Sequence, residues 1–206
     1  RKIIIPDNKP PFTVCEYNIG NLQNVGITEK TEFSGSIFDT SRTEVSYGHI
    51  FAPISGSLGT RARLLRVLLP VLEKLAVKSI ISLGVPGEQK IVKRGSCEIH
   101  SWLSTQERQQ AMRNASTVVF SGGHITCFET IKYAKPSICI PTQPEQLANA
   151  AKLQDLHCSI MARNKNQLLQ AIREIEEKHQ LFRTNVEGMN KVSNKFNGLN
   201  RAVEII

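Results

Sequence analysis

The amino-acid sequence predicts an α/β fold: a Rossmann-like, three-layer arrangement of about six parallel strands with helices on both faces. Three observations carry this. Short, apolar, β-rich runs recur at 49–55, 79–85, 97–103, 117–121, 137–141 and 158–162. Stretches with apolar residues at helical spacing lie at 60–76, 105–114, 125–134, 145–155 and 166–178, and such alternation implies a parallel sheet covered on both faces. The length of 206 residues with 40% hydrophobic content fills one complete core and hardly two.

Taken in order, the first forty or so residues are rich in Pro, Gly, Asn and Thr and stand apart from the alternation that begins at Tyr47. They hold two strand-like pieces, at 2–5 and 12–18. The first strand of the alternating part runs into Ser55-Gly-Ser-Leu-Gly-Thr60 and a helix. Between the second and third strands, Pro86-Gly-Glu-Gln-Lys-Ile-Val-Lys-Arg-Gly95 reads as a loop with at most one helical turn. Pro144 is placed to open the helix after the fifth strand. Beyond residue 180, Phe182, Val186, Met189, Phe196, Leu199, Val203 and Ile206 form a helical stripe, with Gly188 and Gly198 as weak points. That tail packs either on its own domain or on a partner.

Composition narrows the function. A formal net charge of +8 fits anionic partners, whether a nucleotide diphosphate, nucleic acid or an acidic membrane surface, and reads equally well as a plain solvated surface. Five cysteines, an odd number without a C-x-x-C pair, point to a reducing compartment. No apolar stretch is long enough to span a bilayer, and the start lacks the core of a signal peptide, so a cytoplasmic location is expected. The chain begins with Arg1 rather than Met, as a chain starting inside a longer protein would. No D-x-D or histidine cluster suggests a metal, the five histidines are scattered, and no metal cofactor is expected.

The most informative segment is Ser121-Gly-Gly-His-Ile-Thr-Cys-Phe-Glu129, between the fourth strand and the following helix. A helix start offers unpaired N–H groups and about half a positive charge, and Gly122 and Gly123 let an anion approach the backbone closely. A nucleotide or sugar diphosphate is the expected ligand. Gly56 and Ser57 sit in a similar strand-to-helix loop whose spacing fits neither a Walker A loop nor G-x-G-x-x-G, so phosphate contact and a plain tight turn both remain open.

An ordered set of residues resembles a known family. Ser55-Gly-Ser-Leu-Gly-Thr60, Trp102, the Ser121–Glu129 segment and Pro141-Thr-Gln-Pro-Glu-Gln146 with Asn149 follow successive strands, as in the nucleotide-sugar-binding half of GT-B glycosyltransferases. The likeness is to the bacterial enzyme that adds N-acetylglucosamine to the lipid-linked peptidoglycan precursor, to related archaeal proteins and, in the run of Trp, glycine turn, Glu and acidic-Gln pair, to plant and animal UDP-glycosyltransferases. The resemblance implies that Glu129 accepts both ribose hydroxyls, and a carboxylate suits two donors. It implies that Gly122, Gly123, His124, Ile125 and Thr126 hold the diphosphate, with Gly56 and Ser57 facing its remote half. Thr126 could instead cap the helix, and His124 either donates to phosphate or fills space. No Arg or Lys lies inside this segment to neutralise the phosphates, and Arg61, Arg63 and Arg66 read equally well as a solvated face.

The same resemblance gives the uracil to Trp102 and Leu103, through stacking or through the main chain with the indole packed elsewhere. It gives the donor sugar to Glu145 and Gln146. It implies that residues 1–45 are the end of an N-terminal domain with the interdomain linker, 46–180 the nucleotide-sugar-binding domain and 181–206 a C-terminal helical tail that returns across the cleft. Catalytic residues then belong to the N-terminal acceptor domain or a separate acceptor subunit. The partners expected are a UDP-sugar and an acceptor, lipid-linked at the cytoplasmic membrane face, with no nucleic acid. Two other readings stay open. One is a nucleotide-sugar 2-epimerase of the same fold; the other is a non-enzymatic nucleotide- or RNA-binding module using Lys90, Lys93, Arg94, Lys191, Lys195 and Arg201.

Overall fold

In the computed structural model, residues 2–20, 27–37, 48–195 and 197–206 are described. Tyr47, Phe196 and the boundary expected at residue 45 lie outside the described residues. The element order is β1 (Ile3–Ile5), α1 (Glu16–Ile19), a 3-10 turn (Thr28–Lys30), β2 (Thr31–Phe33), β3 (His49–Pro53), α2 (Leu58–Leu72), β4 (Ser79–Ser82), β5 (Ile91–Arg94) and β6 (Cys97–His100). There follow α3 (Thr105–Asn114), β7 (Ala115–Phe120), α4 (His124–Lys132), β8 (Ser137–Cys139), α5 (Pro144–Asp155), β9 (Ser159–Met161), α6 (Lys165–Glu177), α7 (His179–Ser193) and α8 (Gly198–Ile205).

The main sheet has seven strands in the order β5-β6-β4-β3-β7-β8-β9, parallel throughout except for β5. Alternation along the strands builds the three layers. Ile50, Ala52 and Val119 face Leu64, Leu68 and Leu72 of α2 and Leu168, Ile172 and Ile175 of α6. Phe51, Val118 and Phe120 face Met112 of α3, Phe128 and Ile131 of α4, Leu153 of α5 and Val186 and Met189 of α7. The apolar residues read as strands and helices are thus the ones that fill the two core layers.

The segment expected to be a loop at 86–95 instead contains β5, which pairs antiparallel with β6 through Arg94↔Cys97. Gly95 and Ser96 make the two-residue connection, and Gly95 has φ +54° with the Glu73 carbonyl where a side chain would start. A Gly-Ser pair between β-branched runs is a hairpin signal, yet all four β5 residues are exposed, so no burial pattern marks the strand. Lys93 and Arg94 put charge on this edge, which discourages pairing with another chain.

The strand-like piece expected at 12–18 is also different: it is a turn leading into α1. Its apolar residues are spent on docking, with Val14 fully buried in the α3/α4/α5/α7 layer. Glu16 pairs with Lys152 of α5, and the Tyr17 hydroxyl donates to Asp155. β1 and β2 form a separate two-stranded parallel sheet. At the other end α7 runs unbroken through Gly188, which faces open space. α8 starts at Gly198, capped by Asn197 and set so tightly on Gly35 and Ser36 that a methyl group there would lie 2.3 Å from the Ser36 carbonyl oxygen.

Four of the cysteines, Cys97, Cys127, Cys139 and Cys158, are buried and free, while Cys15 is half-buried and free. Burial pushes Cys139 and Cys158 up to about 12. No helix among the described residues is long and apolar enough to cross a membrane.

Candidate functional site

The carboxyl ends of the parallel strands gather the predicted residues, because every strand-to-helix loop of the alternating part opens there. At the end of β7 the chain turns at Gly122, with φ +91°, and enters α4 at Gly123. Only glycine fits at residue 122: an added Cβ would lie 2.7 Å from the Gln146 carbonyl oxygen. Asn149, fully buried on α5, donates to the Gly122 carbonyl at 3.0 Å and to Glu145 Oε1 at 2.8 Å, while Asn18 of α1 donates to Asn149 Oδ1 at 2.7 Å. One side chain thereby ties the glycine turn, α5 and the N-terminal segment together.

α4 starts without a capping side chain, as do α1, α5 and α7, whereas α2, α3, α6 and α8 are capped by Ser57, Ser104, Asn164 and Asn197. The first-turn amides of His124, Ile125 and Thr126 have no intrahelical acceptor, and an anion can take the place of the cap. Gly123 and His124 are half-buried and Ile125 is 58% exposed, so this helix end is open to solvent. Thr126 is buried on the first turn and is not the cap.

The His124 ring stands edge-on to Phe128, with centroids 5.0 Å apart, and its Nε2 lies 3.4 Å from Asp7 Oδ2. Asp7 is fully buried; its Oδ1 accepts from the Asn8 amide at 2.6 Å, and its Oδ2 from Thr13 Oγ1 and the Val14 and Cys15 amides, each at 2.9 Å. Burial raises the Asp7 carboxyl, but the hydrogen bonds and charge of His124 and the bonds from Cys15 outweigh it and hold the group below the ordinary carboxylate range. Burial and the adjacent Asp7 charge push the Cys15 thiol up to about 12. Asp7, Cys15 and His124 thus bring three potential metal ligands within 4.8 Å, a grouping that scattered positions in the sequence conceal. The Asp7 oxygen that faces the other two already accepts three protein donors, and the thiol resists ionisation, so this donor set suits a structural knot better than a cation.

Glu129, on the second turn of α4, is not free. Arg108 of α3 grips it with both arms, Nε to Oε1 at 3.2 Å and Nη2 to Oε2. Residues 108 and 129 meet only across the helix pair, so no sequence spacing announces the contact. Arg61 behaves similarly: its Nε donates to the Gly56 carbonyl at 2.8 Å, folding a cation over the second glycine loop rather than leaving it on a solvated face. In that loop Ser57 caps α2, accepting from the Thr60 amide at 3.3 Å.

Trp102 is 43% exposed in the loop before α3, while Leu103 is buried in the core layer. The structure therefore separates these two residues, leaving an open indole face and a main chain anchored by Leu103. Glu145 is exposed, and Gln146 is buried with its Oε1 accepting from the Thr142 amide and hydroxyl at 3.0 and 2.8 Å. The Gln146 side-chain oxygen Oε1 is thus committed to its own loop, and its side-chain NH2 group is what it has to offer a ligand. Concavities elsewhere among the described residues include a groove of about 670 Å³ beside Arg66, Arg163 and Lys165, one of about 410 Å³ beside Lys78, Lys93 and Glu98, and one of about 310 Å³ beside His49, Glu98 and Gln110 that touches the predicted residues only at Leu103.

Comparison with known proteins bears on the family and the fold. Glycosyltransferase family 28 C-terminal domain matches residues 71–201. An uncharacterized glycosyltransferase of Methanosarcina mazei is 23% identical over the whole chain, which spans 56% of that relative. Among solved structures, the glycotransferase of kitacinnamycin superposes with a TM-score of 0.66 at 14% identity, covering 93% of this chain and 52% of its own. The calicheamicin glycosyltransferase CalG4 gives 0.65 at 12% identity over 93% and 51%, and the spinosyn rhamnosyltransferase SpnG, solved with thymidine diphosphate, 0.60 at 16% over 80% and 46%. These structural likenesses concern the fold, an α/β half with a mostly parallel sheet. With the family match covering most of its length, the chain belongs to the glycosyltransferase family 28 C-terminal domain family.

Proposed function

We propose that the chain is the donor-binding half of an inverting glycosyltransferase that moves a hexosyl group from a UDP-sugar to an acceptor. The observation that carries the reading is the α4 N-terminus: an uncapped, solvent-open helix start behind a glycine-only turn, with a carboxylate one and a half turns along the same helix. The helix amides receive the diphosphate, Gly56 and Ser57 face its far side, Glu129 takes the ribose hydroxyls, Trp102 stacks on uracil and Glu145 with Gln146 meets the sugar. The resemblance to the peptidoglycan enzyme favours N-acetylglucosamine as that sugar and a lipid-linked acceptor at the cytoplasmic membrane face. Fixed backbone dipoles stabilise the departing diphosphate where its charge develops, so the reaction needs no metal at this site.

The chain spans about half the length of the curated relative it matches. The acceptor site and the catalytic base belong, in this reading, to an N-terminal domain or a separate acceptor subunit, and the chain alone turns over no substrate. Calorimetry of UDP, UDP-N-acetylglucosamine, GDP and ADP tests the donor assignment. The two uridine ligands bind tightest, and Glu129→Ala weakens them about 10- to 100-fold, the worth of hydrogen bonds to a charged group. Equal affinity for all four ligands would discard the base assignment, and an unaffected alanine variant the ribose assignment.

A further inference from the structure

We propose that Arg108 is a positioning residue of the nucleotide site: its two-armed grip aims the Glu129 carboxylate at the ribose and cancels the charge that would otherwise repel the diphosphate. The inference rests on Glu129 being the ribose acceptor. α3 is fixed at its start by a reciprocal cap between Ser104 and Glu107, so Arg108, the next residue, leaves a capped helix end and reaches Glu129 of α4. Arg108 and Glu129 side chains are 29% and 26% exposed, shielded enough for a planar fork-to-carboxylate pair to hold its geometry.

The fork occupies one acceptor position on each carboxylate oxygen, Nε on Oε1 and Nη2 on Oε2. A carboxylate has about four such positions, so about one per oxygen stays available. Two fixed acceptors suit the paired 2′ and 3′ hydroxyls of a ribose, and a 2′-deoxyribose leaves one of them unused. Charge gives Arg108 a second effect. Glu129 lies six residues beyond Gly123, the start of the helix whose amides receive the diphosphate, and a bare carboxylate there opposes the ligand's negative charge. The guanidinium removes that opposition without entering the glycine turn, supplying the cation that the Ser121–Glu129 segment lacks.

Titration of the 206-residue chain with UDP and 2′-deoxy-UDP separates the possibilities, using Arg108→Met, Arg108→Lys, Glu129→Ala and the Arg108→Met/Glu129→Ala double variant. Arg108→Met is expected to weaken UDP about 10-fold or more and to shrink the preference for UDP over its 2′-deoxy form, and the same substitution on the Glu129→Ala background is expected to cost little further. Arg108→Lys restores charge but not the fork, so it regains overall affinity while its ribose preference stays reduced. If Arg108→Met does not fold, the ribose preference of Arg108→Lys decides alone. UDP affinity equal to or above that of the unaltered chain in Arg108→Met, an unchanged ribose preference in either variant, or an equal loss with and without Glu129 would overturn the inference. No UDP binding by the unaltered chain, or no effect of Glu129→Ala alone, would overturn the ribose assignment and this inference with it, visibly without any change at Arg108.

Discussion

Asp7→Ala is expected to destabilise the chain by about 3–5 kcal/mol, because it leaves buried donors without their charged acceptor. Asp7 is fully buried and collects the amides of Asn8, Val14 and Cys15 and the Thr13 hydroxyl, with His124 3.4 Å away. Asp7→Asn retains the shape but turns two acceptor oxygens into one oxygen and an amide NH2 that faces other donors, so it recovers little. Acid has the same effect as the substitution. The folded carboxyl is held below its unfolded value, so its stabilisation is complete above about pH 4 and drains away as pH falls through the lower folded value. Denaturant unfolding between pH 2.5 and 7 checks this: the unaltered chain loses stability on the acid side and Asp7→Asn follows a flatter curve. Parallel curves would show that the Asp7 carboxylate does not account for the loss of stability in acid.

Gly122→Val is expected to abolish useful nucleotide binding while also lowering stability. The residue sits at φ +91°, where a β-branched side chain is strained by about 1–3 kcal/mol, and its first added atom meets the Gln146 carbonyl oxygen at 2.7 Å. Overpacking adds about 1–3 kcal/mol as the start of α5 is pushed away. The turn cannot move without disturbing Asn149, which holds the Gly122 carbonyl and Glu145 together. Displacing the amides proposed to receive the diphosphate is expected to weaken nucleotide binding. UDP titration at a temperature where the variant is still folded separates the two effects; retained affinity would mean that the glycine turn does not carry the phosphate.

The alternating core was legible because its signal is periodic. Ile50, Ala52 and Val119 on one face and Phe51, Val118 and Phe120 on the other are apolar wherever the sheet is covered on both sides. β5 escaped because Ile91 to Arg94 cover nothing, and α1 because Val14 and Glu16 dock sideways on α5 and the core instead of joining a ladder. The glycine turn was readable from local chemistry, since Gly122 and Gly123 act through backbone shape. Arg108 and Asp7 were not, because the Arg108 fork meets Glu129, and the Asp7 loop meets His124, only after the fold has set helices and loops side by side. Gln146 shows the same limit in another form: the residue type suits a sugar hydroxyl, and nothing in the sequence announces that Thr142 engages its side-chain oxygen.

The free thiols have a practical meaning. Cys97, Cys127, Cys139 and Cys158 are spread over both core layers, each shut away from reagents, with burial pushing every one of them upward. Alkylation of these sulfurs must wait until the interior comes apart. The interior therefore carries its own clock, in which the rate of label uptake reads how often this domain opens, with no probe introduced from outside.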